Sequence, residues 1–297
     1  MSFEETIGNG FGEPEYDGEG GGDGGSDMSQ EEWLYRFRFR IPSPDKNPVK
    51  AGSSVKKRVL FLQGEPRCVY EHDTYKYRKH TRLQAALCLR KHKVGNRGCP
   101  FCEDNNNYAP YVGFFVVIDM GQLVRKEGGG IYLHHNSWKK KDGEEVEERF
   151  PKRLLVAKHG SDDKPGVLRK LREREEERGG PGSLTGTVWD VTRSGSKEAS
   201  VGEDWQYVER IDPDQVVGYL QECGANPDEL DVAHVDIAKV LKANLVSYEQ
   251  MATIVGGGGG QRAQGAGYGG GNGGSGGSAG MYDGPMPPDD DSDNIPF

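Results

Sequence analysis

The sequence has no apolar run of the roughly 18–20 residues that a membrane span needs, and it does not open on a basic-then-apolar export signal. It has no P-loop, no HExxH and no GxSxG, which removes the common nucleotide, zinc-protease and serine-hydrolase chemistries. Cysteine is scarce: there are five, an odd count, and Cys88, Cys99 and Cys102 fall within fifteen positions. In a chain with no export signal that favours a metal site in a reducing interior over a disulfide framework. Apolar residues are few as well, 34% of 297, while glycine supplies 45.

These shortages sit at the ends. Residues 1–32 hold nine Gly and ten acids with no Lys or Arg, and residues 256–297 hold sixteen Gly, five Asp and one base, Arg262. Neither stretch buries enough apolar surface to offset chain entropy, so both are expected to be disordered. The folded part is then Trp33 to Val255. The formal charge of −9 is uneven: residues 33–97 carry seventeen bases against four acids, residues 98–211 sum to −2 and residues 212–255 to −6. A basic first third between acidic ends points to a polyanionic partner for one surface.

Hydrophobic periodicity predicts mainly β-structure. Residues 33–40, WLYRFRFR, alternate strictly, with Trp33, Tyr35, Phe37 and Phe39 on one face and Leu34, Arg36, Arg38 and Arg40 on the other. Further strands are expected at Val55–Leu62, Cys68–Glu71, Val112–Asp119, Ile131–His134, Arg153–Lys158, Leu184–Thr192 and Trp205–Arg210. Thr81–Lys91 and Gly166–Arg178 read as helices, as does most of 212–255, broken at Gly224, Asn226 and Pro227. Antiparallel strands with few helices predict a small barrel with inserted loops.

The sharpest local motif is Cys99-Pro-Phe-Cys102 after Gly98. A CxxC in a Gly/Pro turn lets two thiolates converge on one ion. A redox dithiol would need a strand before it and a helix opening at its first Cys, whereas Asn96, Arg97 and Gly98 precede this one. Cys88 is the evident third ligand, and spacing leaves the fourth open among Cys68, His72, His80 and His92. Three Cys and one His close a tetrahedral Zn2+ shell with no open position, which makes the site structural.

The order His72, Cys88, Cys99-Pro-x-Cys102, then the run YVGFFVVID at 111–119, resembles the T-even phage helix-destabilising proteins and their relatives. Those are phage single-stranded DNA-binding proteins with an OB fold that carries a zinc-binding insertion. TRSGS at 192–196 also resembles these proteins. The match runs in order over roughly residues 33–210 and is specific between 68 and 119. The resemblance implies an OB-fold core over 33–211 with its zinc insertion at about 68–110, a helical region at 212–255, and His72, Cys88, Cys99 and Cys102 as the ligands of one structural Zn2+. It places Tyr111 in the DNA cleft. The basic N-terminal arm with which T-even relatives self-associate is replaced here by an acidic one, so strong cooperativity of that kind is not expected.

Binding of single strands without sequence preference needs cations for phosphates and aromatic faces for bases. Candidates are Arg36, Arg38, Arg40, Lys56, Lys57, Arg58, Tyr75, Tyr77, Arg78, Lys79, Arg82, Tyr108, Tyr111 and, on an expected loop, Trp138. The chain closes on DDDSDNIPF, which resembles the acidic tip of bacterial single-stranded DNA-binding proteins. Asp289, Asp290, Asp291 and Asp293 would steer it to a basic rim, and Ile295, Pro296 and Phe297 would fill an apolar pocket. Gly-rich residues 256–280 form the expected linker, with a span of about 25–30 Å, and residues 281–297 the tip. The expected protein is therefore no enzyme. It coats single-stranded DNA in phage replication, recombination and repair, in the cytoplasm of the infected bacterial host, and recruits replication proteins through the tip. A zinc-containing RNA- or duplex-DNA-binding regulator is the alternative. A His/Asn nuclease built on His134, His135 and Asn136 would need a further spaced His in a ββα frame, which His159 does not supply.

Overall fold

The computed structural model describes residues 34–256, apart from 36, 48, 50–53, 78, 82, 84, 93, 95–96, 105–106, 127, 140–144, 162 and 181. The acidic arm at 1–32, nearly all of the Gly-rich linker, and the terminal tip lie outside the described residues. In chain order the elements are β1 (Val55–Asp73), β2 (Ala85–Leu87), the single turn α1 (Pro100–Glu103), β3 (Tyr111–Arg125), β4 (Ile131–His134), β5 (Asn136–Lys139), β6 (Glu145–Glu148), β7 (Lys152–Lys158), α2 (Val167–Glu177), β8 (Thr187–Arg193), β9 (Asp204–Arg210), α3 (Val216–Glu222), α4 (Ile237–Ala243) and α5 (Tyr248–Val255). Among the described residues no helix is long and apolar enough to cross a membrane.

The chain is mainly β, and its main sheet is antiparallel. The sheet runs β4-β3-β1-β8-β9, with β7 on the second side of β3 and β2 on the end of β1. The two strands expected at Val55–Leu62 and Cys68–Glu71 are one strand of 19 residues, bent by register shifts at Arg58/Val59 and around Gln63. Bulges of this kind coil a long strand so that its two halves serve different partners: β8 pairs residues 55–60 and β2 pairs residues 71–73.

β3 reads as an almost unbroken apolar run because both of its faces are covered. Phe115 and Val117 join Val59, Phe61, Trp189 and Trp205 in one cluster under α2. Phe114 and Val116 pack on the opposite side against Leu34, Tyr35 and α4, while Leu60, Ile118 and Val188 are roofed by α3.

Four expectations are corrected. The described residues of 33–40 do not form a strand: Leu34 and Tyr35 lie in a helical turn, and among them only Arg38 bridges, in parallel, to Leu154. The side chains of Tyr35 and Arg38 are both drawn to the buried Glu71, which an alternating strand would forbid. Thr81–Lys91 is not a helix, because Ala85–Leu87 pair with β1 and are buried, and this tertiary pairing overrides a Leu/Ala/Arg-rich propensity. Trp138 lies on β5 of a separate β5–β6 hairpin rather than on a loop. The sheet is not a closed barrel either: among the described residues β7 and β9 do not pair. Residues 37–41 lie across that opening instead, with Phe39 N–H donating to Leu154 O (2.8 Å) and Ile41 N–H to Ser200 O (2.6 Å).

Candidate metal centre and aromatic surface

Three segments converge on one point. The end of β1 supplies His72, opposite Ala86 of β2. Cys88 follows β2 directly, in a turn whose Lys91 N–H donates to Cys88 Sγ (3.4 Å). Cys99 sits at the N-terminus of α1 and Cys102 in it, with Cys102 N–H bonded to Cys99 O. Gly98 enters this turn at φ +85°, a backbone conformation that strains any residue with a side chain.

The four donor atoms of His72, Cys88, Cys99 and Cys102 lie within 4.8 Å of one another. Cys88 Sγ is 3.4 Å from Cys102 Sγ, and His72 Nε2 is 3.4 Å from Cys99 Sγ and 3.5 Å from Cys102 Sγ. Bonds of about 2.3 Å to sulfur and about 2.0–2.1 Å to nitrogen put tetrahedral donors about 3.5–3.8 Å apart, so these edges fit one ion. His72, Cys88 and Cys99 are buried. The donors are strongly coupled: contacts with Cys88 and then His72 lower the Cys99 thiol, while contact with Cys99, and burial, raise that of Cys88. A cation held among them would favour the thiolate form of all three sulfurs.

Of the four candidates for a fourth ligand, His72 alone is placed with the three sulfurs. Cys68 lies in the core under α2, its thiol pushed up to about 11 by burial. His80 is exposed. His92 Nε2 accepts from Tyr70 N–H (2.9 Å), and burial lowers its imidazole. Two features of the centre are not visible in the residue spacing. Phe101 lies between His72 and Tyr77, tilted to both, with ring centroids 5.5 and 5.1 Å away. The last helix, α5, docks on α1 so that Met251 Sδ lies 3.9 Å from Cys99 Sγ.

The expected nucleic-acid residues scatter. Arg38 is nearly buried, its side chain 10% exposed, and bidentate to Glu71 (2.7 and 2.9 Å), Lys57 is buried on Asp119 (2.6 Å) and Arg58 pairs with Asp190 (2.7 Å). Tyr77 is buried, with its hydroxyl on Asp104. The first two cations and Tyr77 are thus interior groups, against the expectation of a solvent-facing role. Lys56 reaches Gln206 (3.1 Å). Arg40, Lys79 and Tyr108 are exposed, and Tyr75 is half-buried. Arg36, Arg78, Arg82 and the tip residues Asp289, Asp290, Asp291, Asp293, Ile295, Pro296 and Phe297 lie outside the described residues, as does the Trp138 side chain.

Tyr111 does find partners. It faces Tyr70 across the β1–β3 register, ring centroids 5.2 Å apart. Tyr70 in turn lies 6.2 Å from His92, and Tyr111 5.9 Å from His159, so four half-buried rings run in a row over β1, β3 and the end of β7. Lys91 Nζ stands 5.1 Å over the Tyr70 ring. The metal turn builds one end of this row: Cys88 N–H donates to Tyr70 O (2.9 Å), and Lys91 and His92 follow in the same turn. Lys91, His92 and His159 were not among the expected contacts, since the turn and the strand register that gather them are tertiary.

No family model, no curated protein and no solved structure matches the chain.

Proposed function

We propose that this chain binds single-stranded nucleic acid, DNA in the first place, without sequence preference, and that it performs no chemistry of its own. The observation that carries the reading is the ring row His92–Tyr70–Tyr111–His159 with Lys91 at its edge. Stacking on such faces is worth about 1–3 kcal/mol per base and tolerates every base, and adjacent cations take the phosphates. Each ring contributes affinity and none reads an edge, so the site would coat a strand and melt weak hairpins by holding bases apart.

The pairing of the sheet supports an OB-type barrel. β1 pairs with both β3 and β8, β3 with β7, and β8 with β9. These are four of the five contacts of a five-stranded Greek-key barrel, and residues 37–41 stand at the fifth. His72, Cys88, Cys99 and Cys102 would hold one Zn2+. When bound, it supplies a closed-shell crosslink and no reactive position. Its work in this reading is positional, because the Cys88 turn carries Lys91 and His92 to Tyr70.

The residue pattern that resembles phage helix-destabilising proteins favours a role in phage DNA replication, recombination and repair in the host cytoplasm. The terminal Ile295, Pro296 and Phe297 would then recruit replication proteins. The experiment is a titration of labelled oligo(dT), duplex DNA and single-stranded RNA at two salt concentrations, with the Tyr111→Ala variant alongside. Tight, salt-sensitive binding of oligo(dT), weakened roughly tenfold or more by Tyr111→Ala, supports the reading. Preference for duplex or RNA replaces it with a zinc-containing regulator.

A further inference from the structure

Away from the ring row, Arg178 lies against two aromatic rings with no carboxylate beside it among the described residues. Arg178 ends α2, and its guanidinium carbon lies 3.4 Å from the Tyr207 ring centroid and 5.2 Å from that of Trp189. Trp189 is buried and meets Tyr207 edge-on at 5.6 Å, while Tyr207 is 41% exposed. Among the described residues no carboxylate pairs with Arg178, and its Nε is buried without a hydrogen-bond partner. Glu175, one turn earlier, is spent elsewhere: its carboxylate accepts from Gly182 N–H (2.7 Å). A guanidinium held only by ring faces keeps N–H groups for an incoming phosphate, and it does so in a fixed plane.

Three features make the place approachable. Tyr207 lies on β9, the strand at the open edge of the sheet. The neighbouring loop carries Gly179, Gly180 and Gly182 at left-handed φ, and a Cβ on any of them would meet nothing within 4 Å. The helix that ends at Arg178 begins beside the row, where Gly166 N–H donates to His159 O (2.8 Å). Twelve residues of helical rise separate Gly166 from Arg178, about 18 Å. That span falls within the roughly 4–16 nucleotides that one OB fold covers.

The geometry points to Arg178 and Tyr207 as a second contact for the bound strand, the guanidinium taking a phosphate and the exposed tyrosine edge meeting a base several nucleotides from the ring row. The inference rests on the single-strand reading and adds a strand path to it. Oligo(dT) of 4, 8 and 16 nucleotides is titrated across a salt series against wild type, Arg178→Gln and Arg178→Lys, with melting curves to establish that each variant is folded. Arg178→Gln is expected to bind the 16-mer several-fold more weakly, with a log–log salt slope shallower by about 0.7, and to bind the 4-mer like wild type. Arg178→Lys keeps the charge and restores the slope. Wild-type affinity and slope for Arg178→Gln on the 16-mer overturns the second contact while leaving the ring row standing. An equal loss on 4-mer and 16-mer overturns it as a separate contact. Failure of wild type to bind any oligo(dT) removes both readings.

Discussion

Replacing Glu71 by Gln tests what holds the N-terminal segment to the sheet. Glu71 is buried on β1 and accepts two bonds from Arg38 (2.7 and 2.9 Å) and one from the Tyr35 hydroxyl (2.5 Å), with the guanidinium also 4.7 Å over the Tyr35 ring. Arg38 cannot shed its proton; the neighbouring Glu71 holds its pKa above the ordinary arginine value despite burial. The amide keeps the shape and one acceptor but leaves a buried cation without its counter-charge, which costs about 3–5 kcal/mol. For a folded region of this size that is a fall of roughly 6–15 °C in melting temperature. Replacing the whole pair removes the stranded charge, so Arg38→Met with Glu71→Gln is expected to recover most of the loss. The assay is urea unfolding of wild type, both single variants and the double variant, with metal content checked because His72 is adjacent. A Glu71→Gln loss under about 1 kcal/mol, or losses that simply add in the double variant, would refute the argument.

Chelation, or Cys99→Ser, is expected to lower the melting temperature first and oligo(dT) affinity as a consequence; unchanged melting after verified metal removal contradicts a structural centre. Met251→Ala opens a cavity against Cys99 Sγ and is expected to cost about 2–5 kcal/mol and to speed zinc transfer to a colorimetric chelator, whereas an unaltered transfer rate separates α5 from the centre. Burial raises the Glu175 carboxyl above its ordinary range, so its stabilising contribution is present below the unfolded-state value and is lost as pH rises through the folded-state value. Glu175→Gln should therefore gain on wild type in urea midpoint as pH goes from 5 to 8, and a gain that shrinks with pH refutes this. Gly186 sits at φ +78° with a Cβ position 2.2 Å from Ile211 O, so Gly186→Ala is expected to leave little folded protein by circular dichroism, and near-native melting would show that the turn relaxes.

Strand locations were legible because they rest on period-two patterning that survives any topology: Ile131–His134 is a strand as expected, Arg153–Lys158 and Trp205–Arg210 lie within strands one residue longer, and Val112–Asp119 lies within a strand of 15 residues that runs on to Arg125. The metal ligands were legible in part, because CxxC is a local motif, but spacing left His72, Cys68, His80 and His92 equivalent. Only placement distinguishes a histidine facing three sulfurs from one spent on the Tyr70 amide. What failed at residues 33–40 is instructive. The alternation of arginine and aromatic is real, yet Arg38 answers to Glu71, 33 positions on, and a buried pair outweighs strand propensity. Charge counting misled for the same reason: Lys57 is buried and Arg38 nearly so, each spent on an interior carboxylate, although both belong to the basic third of the sequence.

The centre and the row are one construction rather than two neighbouring features. Tyr70 and His72 are two positions apart on β1 and so share a face. The Cys88 turn bonds to Tyr70 through both of its backbone groups, since Cys88 N–H reaches Tyr70 O and His92 Nε2 takes Tyr70 N–H. An ion fixing His72 to Cys88 would therefore tie the Tyr70 backbone to the turn that carries Lys91, whose ammonium lies over the Tyr70 ring. Tyr111 and His159, by contrast, are held by the β3–β7 ladder and by no ligand of the centre. In the proposed reading a bound ion would govern the Tyr70 half of the row and the sheet the Tyr111 half, so that a crosslink with no open coordination position would still set how well a strand is held.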